Sequence, residues 1–336
     1  MDRNEYLKKI KRDRYFPGPE IINIYKIIGK LKTATPLHIG SGDSGKKGIS
    51  DEEENNCALI ERDNKKMPYI PGSSLRGTLR NYLETNLTPF NSIDEYDVSS
   101  LVVTSLPDAE FEKHKGITDD DIENKKNEIN RNLFNNLLSG NESEKYLSNE
   151  MAKFYIENLD LIAGLFGSGR YKGKIEIDSG IILDPSDWSD KKIFIMPGVA
   201  IDQETGTAKD KSLFTYELIT QDVEFKIEFT LRNVKYWELG MIFEAMNAFN
   251  HKHFPLRLGG LTNNGYGKMS CQIEKVYQIG DDDRKEAGKK VKNDIKIFNE
   301  NGNWESFFIE KRGFSDINSF EEKCLNKFNE DILCKL

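Results

Sequence analysis

Val223-Glu224-Phe225-Lys226-Ile227-Glu228-Phe229-Thr230-Leu231 sets five apolar residues on one face and four polar ones on the other. A period of two marks a strand with one dry and one wet side. After it, a helix is predicted over about residues 236–249, with Leu239, Ile242, Phe243, Met246 and Phe249 on one stripe. Gly259-Gly260-Leu261-Thr262-Asn263-Asn264-Gly265-Tyr266-Gly267-Lys268 follows, a loop with glycines free to bend close to a ligand. An alternating strand over residues 268–276 completes a strand–helix–strand unit.

The first half of the chain repeats the pattern. Residues 24–33 place Tyr25, Ile27, Gly29, Leu31 and Thr33 on one side and Lys26, Lys30 and Lys32 on the other. A loop rich in glycine and charge runs from His38 to Asn56, and Ala58-Leu59-Ile60 is a short strand candidate. Pro68-Tyr69-Ile70-Pro71-Gly72-Ser73-Ser74-Leu75-Arg76-Gly77 reads as a loop that opens a helix. Ser73 or Ser74 can cap that helix, and Leu75, Leu79, Tyr82 and Leu83 form its buried stripe. The core resumes at residues 161–167. Ile175, Ile177 and residues 181–183 predict a strand or bent hairpin, and residues 198–220 read as loop. Trp237, Phe243 and Phe249 keep helical spacing and read as core rather than as stacking platforms.

Two strand–helix–strand units in one antiparallel sheet predict an α+β protein with a ferredoxin-like, RRM-like core. The expected division is a core of residues 1–87 and 161–280, an acidic and mostly helical insertion at 88–160, and a helical C-terminal appendage at 281–336.

The chain has 336 residues and a net charge of −8. Residues 91–160 hold 7 lysines and arginines against 16 acids, whereas residues 1–90 hold 16 against 12. The acidic excess is therefore local, and the total charge neither vetoes nor supports a polyanion partner. No apolar run spans a bilayer and no secretory signal opens the chain, so a cytoplasmic location and no membrane contact are expected. Cys57, Cys271, Cys324 and Cys334 are scattered without a CxxC pair, which argues against a zinc site and a disulfide framework.

The two loops resemble those of the RAMP superfamily of CRISPR effector proteins. The likeness rests on Tyr69-Ile70-Pro71-Gly72-Ser73-Ser74-Leu75-Arg76-Gly77, on Leu165-Phe166-Gly167, on Ile201-Asp202-Gln203-Glu204-Thr205-Gly206-Thr207-Ala208-Lys209 and on the closing glycine-rich loop. They occur in the family's order over about residues 22–276, most similar to backbone subunits of type III complexes. The resemblance implies an RRM-like core in a cytoplasmic ribonucleoprotein complex of antiviral defence. Guide RNA, target RNA, other RAMP subunits and the large subunit of the complex are the implied partners.

The resemblance also implies metal-dependent cleavage of target RNA by an aspartate in the loop before the Ile-Pro-Gly-Ser-Ser motif. Gly48-Ile49-Ser50-Asp51 approximates the family arrangement with one residue extra, so Asp51 is the candidate catalytic residue and ligand of Mg²⁺ or Mn²⁺. Asp43 is the second candidate. Counted back from the following strand, the position instead falls near Asn55 or Asn56, which implies a non-cutting subunit.

Such a carboxylate can hold the metal or orient the attacking 2′-hydroxyl. A solvated acidic loop remains the alternative. His38 can assist or merely end a strand. Ser73 and Ser74 can donate to guide phosphates at a helix N-terminus, and Arg76 adds charge. Asn263, Asn264, Tyr266 and Lys268 can reach RNA from the glycine-rich loop, or simply form a turn. Gly167-Ser168-Gly169-Arg170 with Lys172 is a second basic loop. Residues 205–211 match the family's thumb-like hairpin, with Lys209 and Lys211 on the RNA backbone. Two further readings stay open: a structural RAMP subunit that caps or bridges the complex, and a stand-alone guide-processing endoribonuclease.

Overall fold

A computed structural model describes residues 3–15, 21–40, 56–62, 64–90, 123–125, 127–128, 159–168, 171–186, 188–201, 207–280 and 317–335. In chain order they form α1 (Arg3–Arg12), β1 (Asn23–Thr33), β2 (Leu59–Arg62), β3 (Lys65–Ile70), α2 (Gly72–Leu87), α3 (Leu161–Phe166), β4 (Gly167–Ser168), β5 (Tyr171–Lys172), β6 (Ile175–Ile177), β7 (Gly180–Ile182), β8 (Ile193–Ile201), β9 (Ala208–Ile219), β10 (Glu224–Arg232), α4 (Tyr236–Asn247), β11 (Met269–Gly280) and α5 (Ile317–Phe328). Nearly all of the expected insertion at 88–160, and residues 281–316 of the tail, lie outside the described residues.

The main sheet runs β11-β1-β10-β7-β3-β2, with β6 also on β10, and every pair is antiparallel. Taking β6 and β7 as one interrupted strand, the four central positions follow the order of two interleaved strand–helix–strand units. The protein is thus a mixed α+β fold, consistent with a ferredoxin-like arrangement. The alternation read in β1 and β10 is the observed one. Tyr25, Ile27, Gly29, Leu31, Phe225, Ile227, Phe229 and Leu231 are buried, and the residues alternating with them are half-buried.

Residues 68–70, read as the start of a loop, are the end of strand β3. β2 and β3 form a hairpin through Asn64 (φ 59°), and pairing passes from β2 to β7 between Pro68 and Tyr69. Proline lacks the N–H for a regular ladder, so it sits where one partner replaces the other. Residues 198–220 are not loop but most of a two-stranded ribbon of β8 and β9, whose tip at 202–206 lies outside the described residues. Gly206-Thr207-Ala208-Lys209 at the centre suggested a loop, but tertiary pairing of the flanking apolar residues overrides that local signal.

α2 buries Leu75, Leu79, Leu83 and Leu87, and its Tyr82 hydroxyl donates to Glu244 on α4 (3.3 Å). Its N-cap is Pro71, without a side-chain cap bond, so neither Ser73 nor Ser74 caps. The helix begins at Gly72, which puts both serines inside the first turn, past the position from which a side chain can cap. α3 is capped instead by Asp160, whose carboxylate accepts from Ala163 N (2.6 Å).

Glu238 at the start of α4 has two bonds. It accepts from the backbone of Lys235 (2.8 Å) and from the ammonium of Lys174 (2.7 Å), both side chains of the ion pair being fully buried. Burial pushes Lys174 toward its neutral form and Glu238 opposes that shift.

α5 packs on α4. Phe320, Cys324, Phe328 and Ile332 are buried, and the Phe320 ring lies 6.0 Å from that of Tyr25 on β1. Contact is possible because Gly240 has no side chain: a Cβ there would run into the carbonyl oxygen of Cys324 and the side chain of Phe328. Gly240→Ala is expected to lower stability by about 1–3 kcal/mol through overpacking, read as a fall in the thermal unfolding midpoint. An unchanged midpoint would refute a tight helix contact at this glycine.

Candidate nucleic-acid interface

After β1 the chain passes through residues 34–40, and three separate loops attach to that short segment. Ala34 N and Thr35 N donate to Lys268 O (2.9 and 3.2 Å), and Lys268 N donates to Thr35 Oγ1 (3.0 Å). Gly267 N donates to Pro36 O and Gly260 N to His38 O (both 2.8 Å). These bonds fasten both ends of the glycine-rich loop. Leu37 exchanges two backbone bonds with Ile219, fastening the base of the β8–β9 ribbon (2.9 and 2.8 Å). Ala58 N donates to Ile39 O (2.7 Å), and Gly40 bridges Cys57. These last two contacts strap together the ends of residues 41–55, which lie outside the described residues, as do Asp43 and Asp51.

Two glycines make this approach possible. Gly259 (φ 84°) and Gly267 (φ 76°) lie in the left-handed region. A Cβ at either would overlap a carbonyl oxygen, of His38 and of Leu258 respectively.

His38 is buried at this junction. Its Nδ1 lies 2.9 Å from Glu217 O; a carbonyl only accepts, so Nδ1 carries the proton. Nε2 is the ring nitrogen nearest Gly40 and the start of residues 41–55. The ring meets Tyr216 edge-on at 5.8 Å.

Glu217 and Cys57 were not singled out in the sequence. The Glu217 carboxylate is buried and accepts from Cys57 N (2.9 Å), and its carbonyl also takes the Cys57 thiol (3.1 Å). The available signal was an acid between Tyr216 and Leu218 in an otherwise apolar run. Burial, with the nearby carboxylate adding to it, pushes the Cys57 thiol up to about 12.

The glycine-rich loop carries a short turn at Thr262–Asn264 between left-handed Leu261 (φ 59°) and Gly265 (φ 91°). Asn263 and Asn264 are exposed, while Tyr266 and Lys268 are half-buried. Arg257 stiffens the turn from below, donating to Gly265 O (2.6 Å) and Tyr266 O (3.0 Å).

A second group forms around α2. Ser73 is exposed and Ser74 half-buried. Arg76 turns inward: its guanidinium donates to Ile175 O (3.0 Å) and to Phe166 O and lies over the Phe166 ring. Arg80 donates to Gly167 O (3.2 Å). These arginines satisfy carbonyls at the C-terminal end of α3 and so bring Gly167 and Ser168 against α2. Lys172 is exposed, and Arg170 lies outside the described residues. Lys209 and Lys211 fall on β9. The two groups are linked by strand pairing, Ile39 to Ala58 and Ala58 to Tyr69.

The open face of the central strands is a lattice of ion pairs. Lys26 meets Glu228 (2.6 Å), Lys226 meets Glu228 (2.5 Å), and Lys32 meets Asp222 (2.9 Å). On β1 and β10 that face carries no aromatic side chain. Among the described residues no group of three or more His, Cys, Asp or Glu can hold a metal ion.

The RAMP superfamily profile matches residues 30–270. The chain belongs to the RAMP superfamily. The match takes in the 34–40 segment, the ribbon, α2 and the glycine-rich loop, and leaves out α1 and α5. Membership suggests a CRISPR-associated, RNA-binding role, with RNA and other proteins of such complexes as partners. No curated protein matches the chain. Among the described residues no helix is long and apolar enough to cross a membrane.

Buried thiols give a direct check of this RAMP junction. Cys57, Cys271 and Cys324 are buried and Cys334 is exposed. At pH 8 a disulfide reagent is expected to modify one thiol rapidly in the folded protein and four after denaturation. Because folding raises the Cys57 and Cys271 values from 9.0 to about 12, their contribution to stability is intact below about pH 9 and is lost as pH rises toward 12. Rapid labelling of Cys57 in folded protein, located by mass spectrometry, would contradict the strap between Gly40 and Cys57.

Proposed function

We propose that this RAMP protein is a guide-RNA-binding backbone subunit of a type III CRISPR complex, acting in the cytoplasm, and that residues 41–55 cut target RNA. The observation that carries the reading is the attachment of the glycine-rich loop, the ribbon base and both ends of residues 41–55 to one segment, 34–40. A guide held on the first, and a duplex shaped by the second, would then lie beside the third. Guide RNA, target RNA, sister RAMP subunits and the large subunit are the proposed partners.

Charge supports this reading. Three of the candidate RNA-facing stretches are free of acids in a chain that holds 56, whereas residues 205–211 include Asp210. Residues 64–83 have none, nor do 161–175 or 245–273. Bound phosphates would meet few like charges there. The ion-paired sheet face, by contrast, has its cations already neutralised, so approach through the loops is favoured.

Asp51 is the proposed catalytic carboxylate and ligand of Mg²⁺ or Mn²⁺, with Asp43 second. A divalent cation there would stabilise charge developing on the scissile phosphate. Asn56 is buried beside the Gly40–Cys57 strap. A register that puts the catalytic position at Asn56 would place it in the core; Asn55, the other position of that register, lies outside the described residues. His38 is buried with Nδ1 committed, which disfavours metal-free guide processing by that ring.

The complex assembled with guide RNA and given labelled target in Mg²⁺ is expected to lose its cuts on Asp51→Ala, with target binding intact. Asp43→Ala should retain them. Cuts that survive both changes would leave a structural subunit, and cleavage of precursor RNA in EDTA would favour guide processing.

Gly77 gives a second test. It is exposed on α2, one turn after Ser73, and a Cβ there would meet nothing within 4 Å. Gly in a helix interior costs about 1 kcal/mol relative to Ala. The fold does not require it, whereas an RNA backbone lying on that face would. Gly77→Ala is expected to raise the unfolding midpoint and weaken guide binding. Unchanged guide affinity would detach this face from RNA.

A further inference from the structure

Phe254 is 83 % exposed, the most exposed large hydrophobic side chain among the described residues. It stands in His251-Lys252-His253-Phe254-Pro255, between α4 and the glycine-rich loop. The segment is held at both ends. Asn250 exchanges two bonds with the backbone of Cys271 (2.7 and 2.9 Å), and Leu256 N donates to Ala248 O (2.8 Å). Arg257 bridges Lys268 and supports the turn at Gly265. The aromatic segment and the glycine-rich loop therefore rise from the same rungs.

Within the segment, Phe254 N donates to His251 Nδ1 (2.9 Å). This folds the chain so that the two rings lie near-parallel, 24° apart with centroids at 5.9 Å. His253 meets His251 edge-on at 6.4 Å. An apolar ring is thus held outward on a fixed turn, which no need of the core explains.

We propose that Phe254, backed by His251, is a stacking platform for an unpaired base of the RNA held by the glycine-rich loop. This rests on the RNA-binding reading given above. A protein pocket would also accept a phenylalanine, but the surroundings favour RNA. Residues 245–273 are 29 consecutive positions without an acid, the longest such run in the chain, and they include Lys252, Arg257 and Lys268. Stacking tolerates any base, since every base has a π-face, while the adjacent cations serve the backbone.

The test uses the full chain and a single-stranded RNA of mixed sequence, unlabelled except for one 2-aminopurine. Phe254→Ala is expected to weaken binding about 5- to 150-fold and to abolish 2-aminopurine quenching at one position along the strand. Phe254→Trp should retain both, and Phe254→Leu should resemble alanine, because area without a π-face is not enough. The slope of affinity against salt should not change, since no phosphate contact is removed. Thermal unfolding should also be unaltered, as the ring is exposed. Equal affinity and quenching in wild type and Phe254→Ala would overturn the platform while leaving RNA binding in place. A change in sedimentation of the RNA-free protein, with RNA affinity constant, would assign Phe254 to a protein contact and overturn it too. Wild type that binds no RNA would remove the underlying reading itself.

Discussion

Backbone hydrogen bonding along residues 34–40 is the constraint on which the rest depends. A segment leaving a sheet normally gives its N–H and C=O groups to water, but here most find protein partners. Successive residues serve different loops: Pro36 and His38 the glycine-rich loop, Leu37 the ribbon, Ile39 the return strand. Each bond contributes only about 0.5–1.5 kcal/mol net, yet a buried group left without a partner costs about 1–3 kcal/mol. Moving one loop base therefore strands groups that belong to its neighbours. The three loops keep a common geometry although Leu37, Ile219 and Gly260 are far apart in sequence.

The sheet has a different task. Its dry face carries the core and its wet face is closed by charge. Burial alone would raise the Glu228 carboxyl; bonds from Lys226 and Lys26 outweigh it and hold the value below the ordinary one. Exposed pairs of this sort add little stability. Their effect is on where a polyanion can settle. Lysines read from the sequence as the wet side of β1 already have carboxylate neighbours, so the less screened cations and donors are those of the loops.

Much of the sheet was legible because β1 and β10 obey a period of two for their full length, and periodicity needs no knowledge of a partner. Features that failed depend on partners distant in the chain. The ribbon looked like loop because Gly206-Thr207-Ala208-Lys209 stands at the centre of the window, and β8 finds order only against β9. Arg76 was read as a phosphate ligand by its place in the motif, and its bonds to the carbonyls of Phe166 and Ile175, about a hundred residues away, had no signal in the sequence. Glu217 and Cys57 were missed for the same reason, being ordinary residues until 160 positions of chain are folded back. The capping reading of Ser73 and Ser74 failed locally, since a shift of two residues in the helix start decides whether Ser73 caps or lies in the first turn. The helical reading of the C-terminus carried no hint of its partner, which is the absent side chain of Gly240.

The parts outside the family-matched span bear on the same loops from behind. α5 lies against α4 over Gly240, and Phe320 meets Tyr25, Tyr236 and Phe243. Tyr25 belongs to β1, the strand that feeds residues 34–40; α4 feeds residues 251–267. One aromatic contact thus steadies both elements that lead into the junction. Glu238 does the same in the first turn of α4, where the buried pair with Lys174 ties that helix to the segment before β6. Breaking a buried pair leaves one charge without compensation, a cost of about 3–5 kcal/mol, whereas the intact pair is roughly neutral. Its contribution is better understood as register than as net stability: it fixes where α4 begins, and the length of α4 then fixes where His251 and the glycine-rich loop emerge.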